Sequence, residues 1–328
     1  MKEFALRSPR SLAQALEYLA ATPQARVVAG GTDLMPNLRR GIGAPDALID
    51  LTGIEDLHHL LRDGKDWLIG AGVTLQRLAC DAAVVADLPV LAQAAASVAG
   101  PAHRTVATLG GNLCLDTRCV FYNQSEWWRK SNDYCLKYLG EVCHVAPQGT
   151  RCHAAWSGDL APALLALDAS IDIVGVGGVR NLPLVDFYQD DGARPLTLLP
   201  GELVWRVRVP AQPQGMRCGY RKARVRAAVD FPLAGVAIRV VLEGDQLVGL
   251  RVALTGTNSR PILLHGTDAV CGAPLRSETL TALGKLVQKQ VSPMRSTVTA
   301  SNYRRQAASV LTQRLLADLV ERNDCGQN

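Results

Sequence analysis

No apolar run in this 328-residue chain approaches the roughly 18 residues that a membrane-spanning helix needs. Its opening, MKEFALRSPR, has no apolar core of signal-peptide length. The expectation is a cytoplasmic protein with no membrane partner. A basic block is also missing: 35 Lys and Arg oppose 30 Asp and Glu, a net charge of +5, and the cations are scattered without interleaved aromatics. A nucleic-acid footprint would need them gathered into one stripe, so no nucleic-acid partner is expected. Internal repeats and low-complexity segments are absent as well. Neither of the two double-glycine turns matches the GxGxxG of a dinucleotide-binding βαβ unit.

What the chain does have is apolar bulk, 48% of its residues, enough at this length for two or three domains. Helical spacing over residues 9–21 follows a Pro and Ser start, and RVVAGG then reads as a strand entering a turn. TDLMPNLRRG reads as a helical turn and ALIDL as a second strand. DWLIGAG is expected as a strand, TLQRLACDAAVV and LPVLAQAAASVA as helices, and TVATLGGN as a strand reaching a second turn. DLAPALLALDA reads as a buried helix, and SIDIVG and ELVWRVRVP as strands. Pro210, Pro213 and Gly215 suggest a linker. Beyond it lie strands with Gly-Asp at a hairpin, then two helices. In the last helix Leu311, Leu315 and Leu319 define a buried stripe, with Arg314, Asp318 and Arg322 off it.

The paired glycines of VVAGGTDL (27–34) and TLGGN (108–112) each join an apolar segment to a polar turn. Residues without a β-carbon let a ligand approach the backbone, and successive free amides can form a nest for phosphate oxygens. Thr32 could add a hydroxyl, and a following helix N-terminus would favour the negative charge. Either turn alone reads as well as a tight loop with no ligand. The two together suggest a phosphate cradle, and the residues by themselves lead no further.

These turns, with GDLAPALLALDA and YRKARVRAAVDFPLAGVA, resemble the FAD-binding medium subunits of the xanthine oxidase family of molybdenum enzymes across nearly the whole chain. The resemblance implies an α+β fold: two α/β FAD-binding subdomains at 1–53 and 54–212, and a C-terminal domain of antiparallel strands with helices at 213–328. FAD would lie between the subdomains. Its contacts would be Val27, Val28, Ala29, Gly30, Gly31, Thr32, Asp33 and Leu34 from the first turn and Thr108, Leu109, Gly110, Gly111 and Asn112 from the second. Val98, Asp159, Val204 and Lys222 would complete them. Without the family, Asp159 reads as a helix cap and Lys222 as a solvated strand lysine. With it, a lysine near the flavin would stabilise the anionic reduced form. No catalytic residue is expected on this chain.

Nine cysteines are present, five of them between 114 and 152. An odd, clustered set points to metal or redox chemistry and away from a disulfide framework. In most family members the stretch from Asn112 to Asp159 is short, whereas here the two lie 47 positions apart, with a segment rich in Cys, Trp and Tyr between them. Within it Cys119, Cys135, Cys143 and Cys152 are separated by 15, 7 and 8 residues. Four thiolates suit an iron–sulfur cluster. Structural zinc is the rival, although no two of these four show its usual close spacing, and unligated buried thiols are the third reading. The segments GNLCLDTRCVFYNQSEWWR and YCLKYLGEVCH resemble the insert of the family's 4-hydroxybenzoyl-CoA reductase branch. That implies an additional [4Fe-4S] cluster on these four cysteines, with Cys114 facing the flavin region. Phe121, Tyr122, Trp127 and Trp128 are expected to form a satellite core, and His144 and His153 to lie at the surface or behind the thiols.

The same branch implies partners: a large molybdenum-cofactor subunit and a small subunit with two [2Fe-2S] clusters, in a dimer of heterotrimers, with ferredoxin as electron donor. The implied reaction is reductive removal of the phenolic hydroxyl of 4-hydroxybenzoyl-CoA, yielding benzoyl-CoA, in anaerobic degradation of phenolic compounds. Arg118, Arg129, Lys130 and Lys137 could attract an acidic donor, or form only a solvated charged face. The alternatives are an FAD subunit of an NAD-coupled molybdenum hydroxylase and a flavin- or zinc-binding assembly module.

Overall fold

A computed structural model describes residues 2–272 and 274–321. Its first unit is a parallel sheet of β1 (Ala5–Arg7), β2 (Arg26–Val28) and β3 (Ala47–Asp50) in the order β1-β3-β2. Two helices connect them, α1 (Leu12–Ala21) and α2 (Leu34–Arg39). Ser11 starts α1 by accepting a hydrogen bond from the Gln14 amide. Ala15 and Leu16 of that helix are buried in the same core as Ile49 of β3.

The second sheet is antiparallel, in the order β4-β5-β8-β6-β7, from β4 (Leu60–Asp63), β5 (Asp66–Gly70), β6 (Ser170–Gly175), β7 (Gly178–Pro183) and β8 (Leu203–Val209). Between β5 and β6 run α3 (Leu75–Cys80), α4 (Ala82–Asp87), α5 (Pro89–Ser97), α6 (Pro101–Arg104), α7 (Leu109–Leu113), α8 (Glu126–Ser131) and α9 (Leu160–Ala166). Asp81 divides TLQRLACDAAVV into two helices because its carboxylate caps the amides of Ala83 and Val84. Helix α9, LAPALLA, is apolar on every side and buried on every side, so packing rather than an amphipathic stripe holds it.

One expected strand is absent. In TVATLGGN, Thr108 takes the cap position of α7 and its hydroxyl accepts from the Gly111 amide, so the second glycine pair lies inside a helical turn. A capping threonine prevails there over the β propensity of its neighbours.

The third sheet, order β12-β11-β10-β9, is antiparallel and comprises β9 (Met216–Ala223), β10 (Ala234–Glu243), β11 (Gln246–Thr255) and β12 (Ile262–Leu263). Gly244, at φ +62°, turns the β10–β11 hairpin where Gly-Asp was expected. Helices α10 (Ser277–Gln290) and α11 (Ser301–Glu321) share a core with this sheet. The buried stripe of α11 includes Leu315 and Leu319 but also Ala308, Thr312 and Leu316, while Leu311 is half-buried. Arg322 lies outside the described residues. No helix among the described residues is long and apolar enough to cross a membrane.

Candidate cofactor sites

A cavity of about 1060 Å³ opens where the first and second sheet units meet. It reaches the upper end of pockets for drug-sized ligands, roughly 300–1,000 Å³. Residues 27–34, Val98, Thr108, Gly110, Gly111, Asn112, Asp159 and Val204 line it, and Cys114 joins them. Leu109 and Lys222 do not. Leu109 is buried in the main core, and Lys222 lies behind the wall.

The two glycine turns serve different purposes. A β-carbon on Gly30 would sit 2.0 Å from the Val106 carbonyl oxygen, so this glycine lets one turn pack on the other. A β-carbon on Gly110 would meet Ala71 at 2.8 Å. In the second turn the four amides from Leu109 to Asn112 are already engaged: Leu109 with Val73, Gly110 with Ala71, Gly111 with the Thr108 hydroxyl and Asn112 with the Thr108 carbonyl. In the first, the amides of Gly30 through Leu34 donate to no acceptor among the described residues, and Gly31 adopts φ +66°. Amides free to meet a phosphate are therefore found in the first turn, whereas the second shapes the wall.

Asp159 occupies the cap position of α9 without capping it. The Asn112 Oδ1 accepts the Leu160 amide instead, at 3.0 Å. The Asp159 carboxylate accepts from the Tyr220 hydroxyl at 2.6 Å and from the Lys222 Nζ at 3.0 Å. Burial pushes this carboxyl up, and Lys222 and Tyr220 oppose that rise. Both the cap reading of Asp159 and the solvated reading of Lys222 are thus corrected: the lysine side chain is only 3% exposed. Tyr220 was not anticipated. Its signal was its place two residues before Lys222 on a strand, which puts both side chains on one face.

Between α7 and α9 the chain makes a long excursion, closed at its neck by mutual backbone hydrogen bonds of Arg118 and Ala155 at 2.8 Å. Inside it Cys119, Cys135, Cys143 and Cys152 line one small cavity with Phe121, Tyr122, Lys137, His144 and Ala154. Burial pushes the Cys152 thiol up to about 12 and raises that of Cys119, although the amides of Phe121 and Tyr122 aid the Cys119 thiolate. Cys114 stands apart at the large cavity, pushed by burial to about 12. His144 lies beside the thiols with Nε2 on the Tyr134 carbonyl, and His153 is half-buried. The expected satellite core is partial: Phe121 and Trp128 approach at 6.3 Å and Tyr122 is buried, but Trp127 is 75% exposed.

The FAD-binding domain of molybdopterin dehydrogenases matches residues 2–212, and the C-terminal domain of CO dehydrogenase flavoproteins matches 219–319. The chain belongs to the FAD-binding medium subunits of the xanthine oxidase family of molybdenum enzymes. It is 33% identical over 278 residues to the aldehyde oxidoreductase FAD-binding subunit of Escherichia coli (strain K12), covering 82% of this chain and 86% of that one. It is 26% identical to the carbon monoxide dehydrogenase medium chain of Afipia carboxidovorans, over 95% and 94% of the two chains. The structure of a cyanide-inactivated Cu,Mo-CO dehydrogenase has the same fold, with a TM-score of 0.81 at 24% identity over 98% of this chain and 99% of that one. The expected fold of an FAD-binding region followed by a C-terminal domain is therefore correct.

For a medium subunit of this family, the free amides of the first turn and the size of the cavity fit FAD. The four thiols are a donor set for iron–sulfur chemistry. Among the described residues, however, no group of three or more His, Cys, Asp or Glu could hold a metal ion. Thiolates around one zinc would stand about 3.8 Å apart, given Zn–S bonds near 2.3 Å. The space between the thiols, about 10 Å³, suits one water-sized body. To admit a cluster, the loops bearing them must part.

The cations of the excursion do not form the exposed face that was considered. Arg118 pairs with Asp33 of the first turn and stacks on Phe231 at 4.5 Å. Arg129 is buried, donating to the Gly41 carbonyl at 2.7 Å and pairing with Glu126. The Lys137 side chain is only 5% exposed, with its Nζ 2.6 Å from Asp116. Of the four, only Lys130 is exposed.

Proposed function

We propose that this chain is the electron-transfer subunit of a molybdenum-dependent reductase resembling 4-hydroxybenzoyl-CoA reductase. FAD would be held by residues 27–34, Val98, Thr108, Gly110, Gly111, Asn112, Asp159, Val204 and Lys222, the last through its pair with Asp159. A [4Fe-4S] cluster would be held by Cys119, Cys135, Cys143 and Cys152. Together the two groups would supply a one-electron and a two-electron carrier side by side, suited to a ferredoxin donor and a molybdenum acceptor. The partners would be a large molybdenum subunit and a small [2Fe-2S] subunit, in a dimer of heterotrimers. We also propose the three-unit division 1–53, 54–212 and 213–328, which follows the three sheets.

The observation that carries this reading is the convergence of four cysteines, spread over 34 residues, on one cavity adjoining the flavin cavity. A second reading, a flavin subunit of a conventional hydroxylase coupled to NAD, is favoured by its relatives, which include a xanthine dehydrogenase FAD-binding subunit of Escherichia coli O157:H7 at 27% identity. Assay of the assembled complex separates the two. Reduced ferredoxin or viologen with 4-hydroxybenzoyl-CoA should yield benzoyl-CoA; hydroxylation of a heterocycle with no action on the thioester would sink the reductase reading. Cys135→Ser should lose iron and keep FAD. Loss of both would assign the excursion to folding.

A further inference from the structure

The first turn faces the large cavity with free amides, yet its side chains carry the wrong charge for a phosphate. Residues 27–34 include no cation, and their one charged group is the Asp33 carboxylate. Asp33 lines the cavity, with its side chain 30% exposed. A diphosphate set against those amides would meet that carboxylate, and like charges at close range in a partly buried site repel strongly.

The compensating cation comes from elsewhere in the chain. Arg118, 85 positions on, pairs through Nη2 with the Asp33 Oδ1. Asn37, which is buried, donates to the other Asp33 oxygen at 3.1 Å and accepts from the Arg118 Nη1 at 3.4 Å, closing a ring of three side chains. The guanidinium also stacks on Phe231 at 4.5 Å, and its Nε has no partner among the described residues, so part of its donor capacity is unfilled. Of the arginines that line the cavity, Arg26, Arg40 and Arg226 are exposed, where water and salt screen them. The Arg118 side chain is 14% exposed. Burial lowers it to about 10, which leaves it charged at neutral pH.

We propose that Arg118 is a binding-specificity residue of the flavin site: by neutralising Asp33 it makes the first turn receptive to a diphosphate. This rests on the proposed reading of residues 27–34 as FAD contacts. Arg118 stands one position before Cys119, at the neck where it and Ala155 exchange backbone hydrogen bonds at 2.8 Å. The excursion therefore completes the flavin site, independently of what the four thiols hold. A purely structural clasp between excursion and turn would fail when either partner is lost. Charge compensation instead becomes unnecessary once the carboxylate is gone.

The test uses the full chain freed of FAD and titrated with FAD, read by flavin fluorescence, with a thermal melt of each variant to show that it is folded. Arg118→Gln should weaken binding about tenfold or more, and Arg118→Lys by about threefold at most. Asp33→Asn should bind at least as tightly as wild type. Asp33→Asn combined with Arg118→Gln should return to within about threefold of wild type. Unchanged affinity in Arg118→Gln overturns the proposal. So does a double variant as weak as Arg118→Gln, which would make the pair a structural clasp. Weakening in Asp33→Asn alone also overturns it, because the carboxylate would then be a contact that FAD needs. Wild-type protein that binds no FAD would instead remove the reading beneath it, and the proposal with it.

Discussion

At the scale of single residues, the glycines separate packing from binding. In Gly30→Ala the new methyl would strike the Val106 carbonyl and force the two turns apart, so both thermal stability and FAD affinity should fall. In Gly111→Ala the methyl would meet only the Thr108 hydroxyl, at 3.1 Å. Thermal melts of the FAD-free protein should therefore show a loss for the first variant and little change for the second, while flavin titration should weaken for both. The buried pair makes a similar contrast. Lys222→Met leaves the Asp159 carboxylate enclosed with only neutral donors, and breaking such a pair costs about 3–5 kcal/mol. Urea unfolding should show that loss, and Lys222→Met combined with Asp159→Asn should recover most of it.

At the scale of elements, Asp172 of β6 is a latch across the second sheet, accepting from Arg206 at 2.7 Å and Arg208 at 2.8 Å on β8 and from Asn181 at 2.7 Å on β7. Burial alone would raise its carboxyl, but these hydrogen bonds outweigh burial and hold it below its ordinary 3.8. A depressed carboxyl contributes stability above its unfolded value, and that contribution disappears as the pH falls through 3.8 toward the folded value. Urea midpoints measured from pH 6 down to pH 3 should decline less steeply for Asp172→Asn than for wild type. The excursion is latched to the flavin turn by Arg118, which binds Asp33. Arg118→Gln should therefore raise the FAD dissociation constant, though Arg118 does not belong to the turn. Elements set by local pattern were legible in the sequence, among them the β10–β11 hairpin and the Leu315–Leu319 stripe of α11, whereas the division at Asp81 was not. What else was not legible depended on partners distant in the chain. Nothing near Lys222 announces Asp159, 63 positions away, and nothing near Arg118 announces Asp33. For that reason two cations read as solvent-facing proved to be internal.

At the scale of the whole molecule, three sheets and two main cores frame the large cavity, with the cysteine excursion docked against the first and last units. Its contacts run to Gly41 in the first unit and to Ser259 and Ser296 in the last. The family could be read from the sequence because the two glycine turns match it jointly with GDLAPALLALDA and YRKARVRAAVDFPLAGVA. The wall that the two cavities share at Tyr122 could not, since it joins residues only through the folded excursion. With Arg118, Arg129 and Lys137 occupied internally, an acidic donor would find, of these four cations, only Lys130 at the surface. Lys130→Glu should slow second-order reduction by ferredoxin more at low salt than at high salt. The central claim, two redox groups on one chain, is tested most directly by assaying iron, acid-labile sulfide, zinc and FAD in anaerobically purified protein. The account predicts about four irons, about four sulfides and one FAD per chain. One zinc, or FAD without iron, would contradict it.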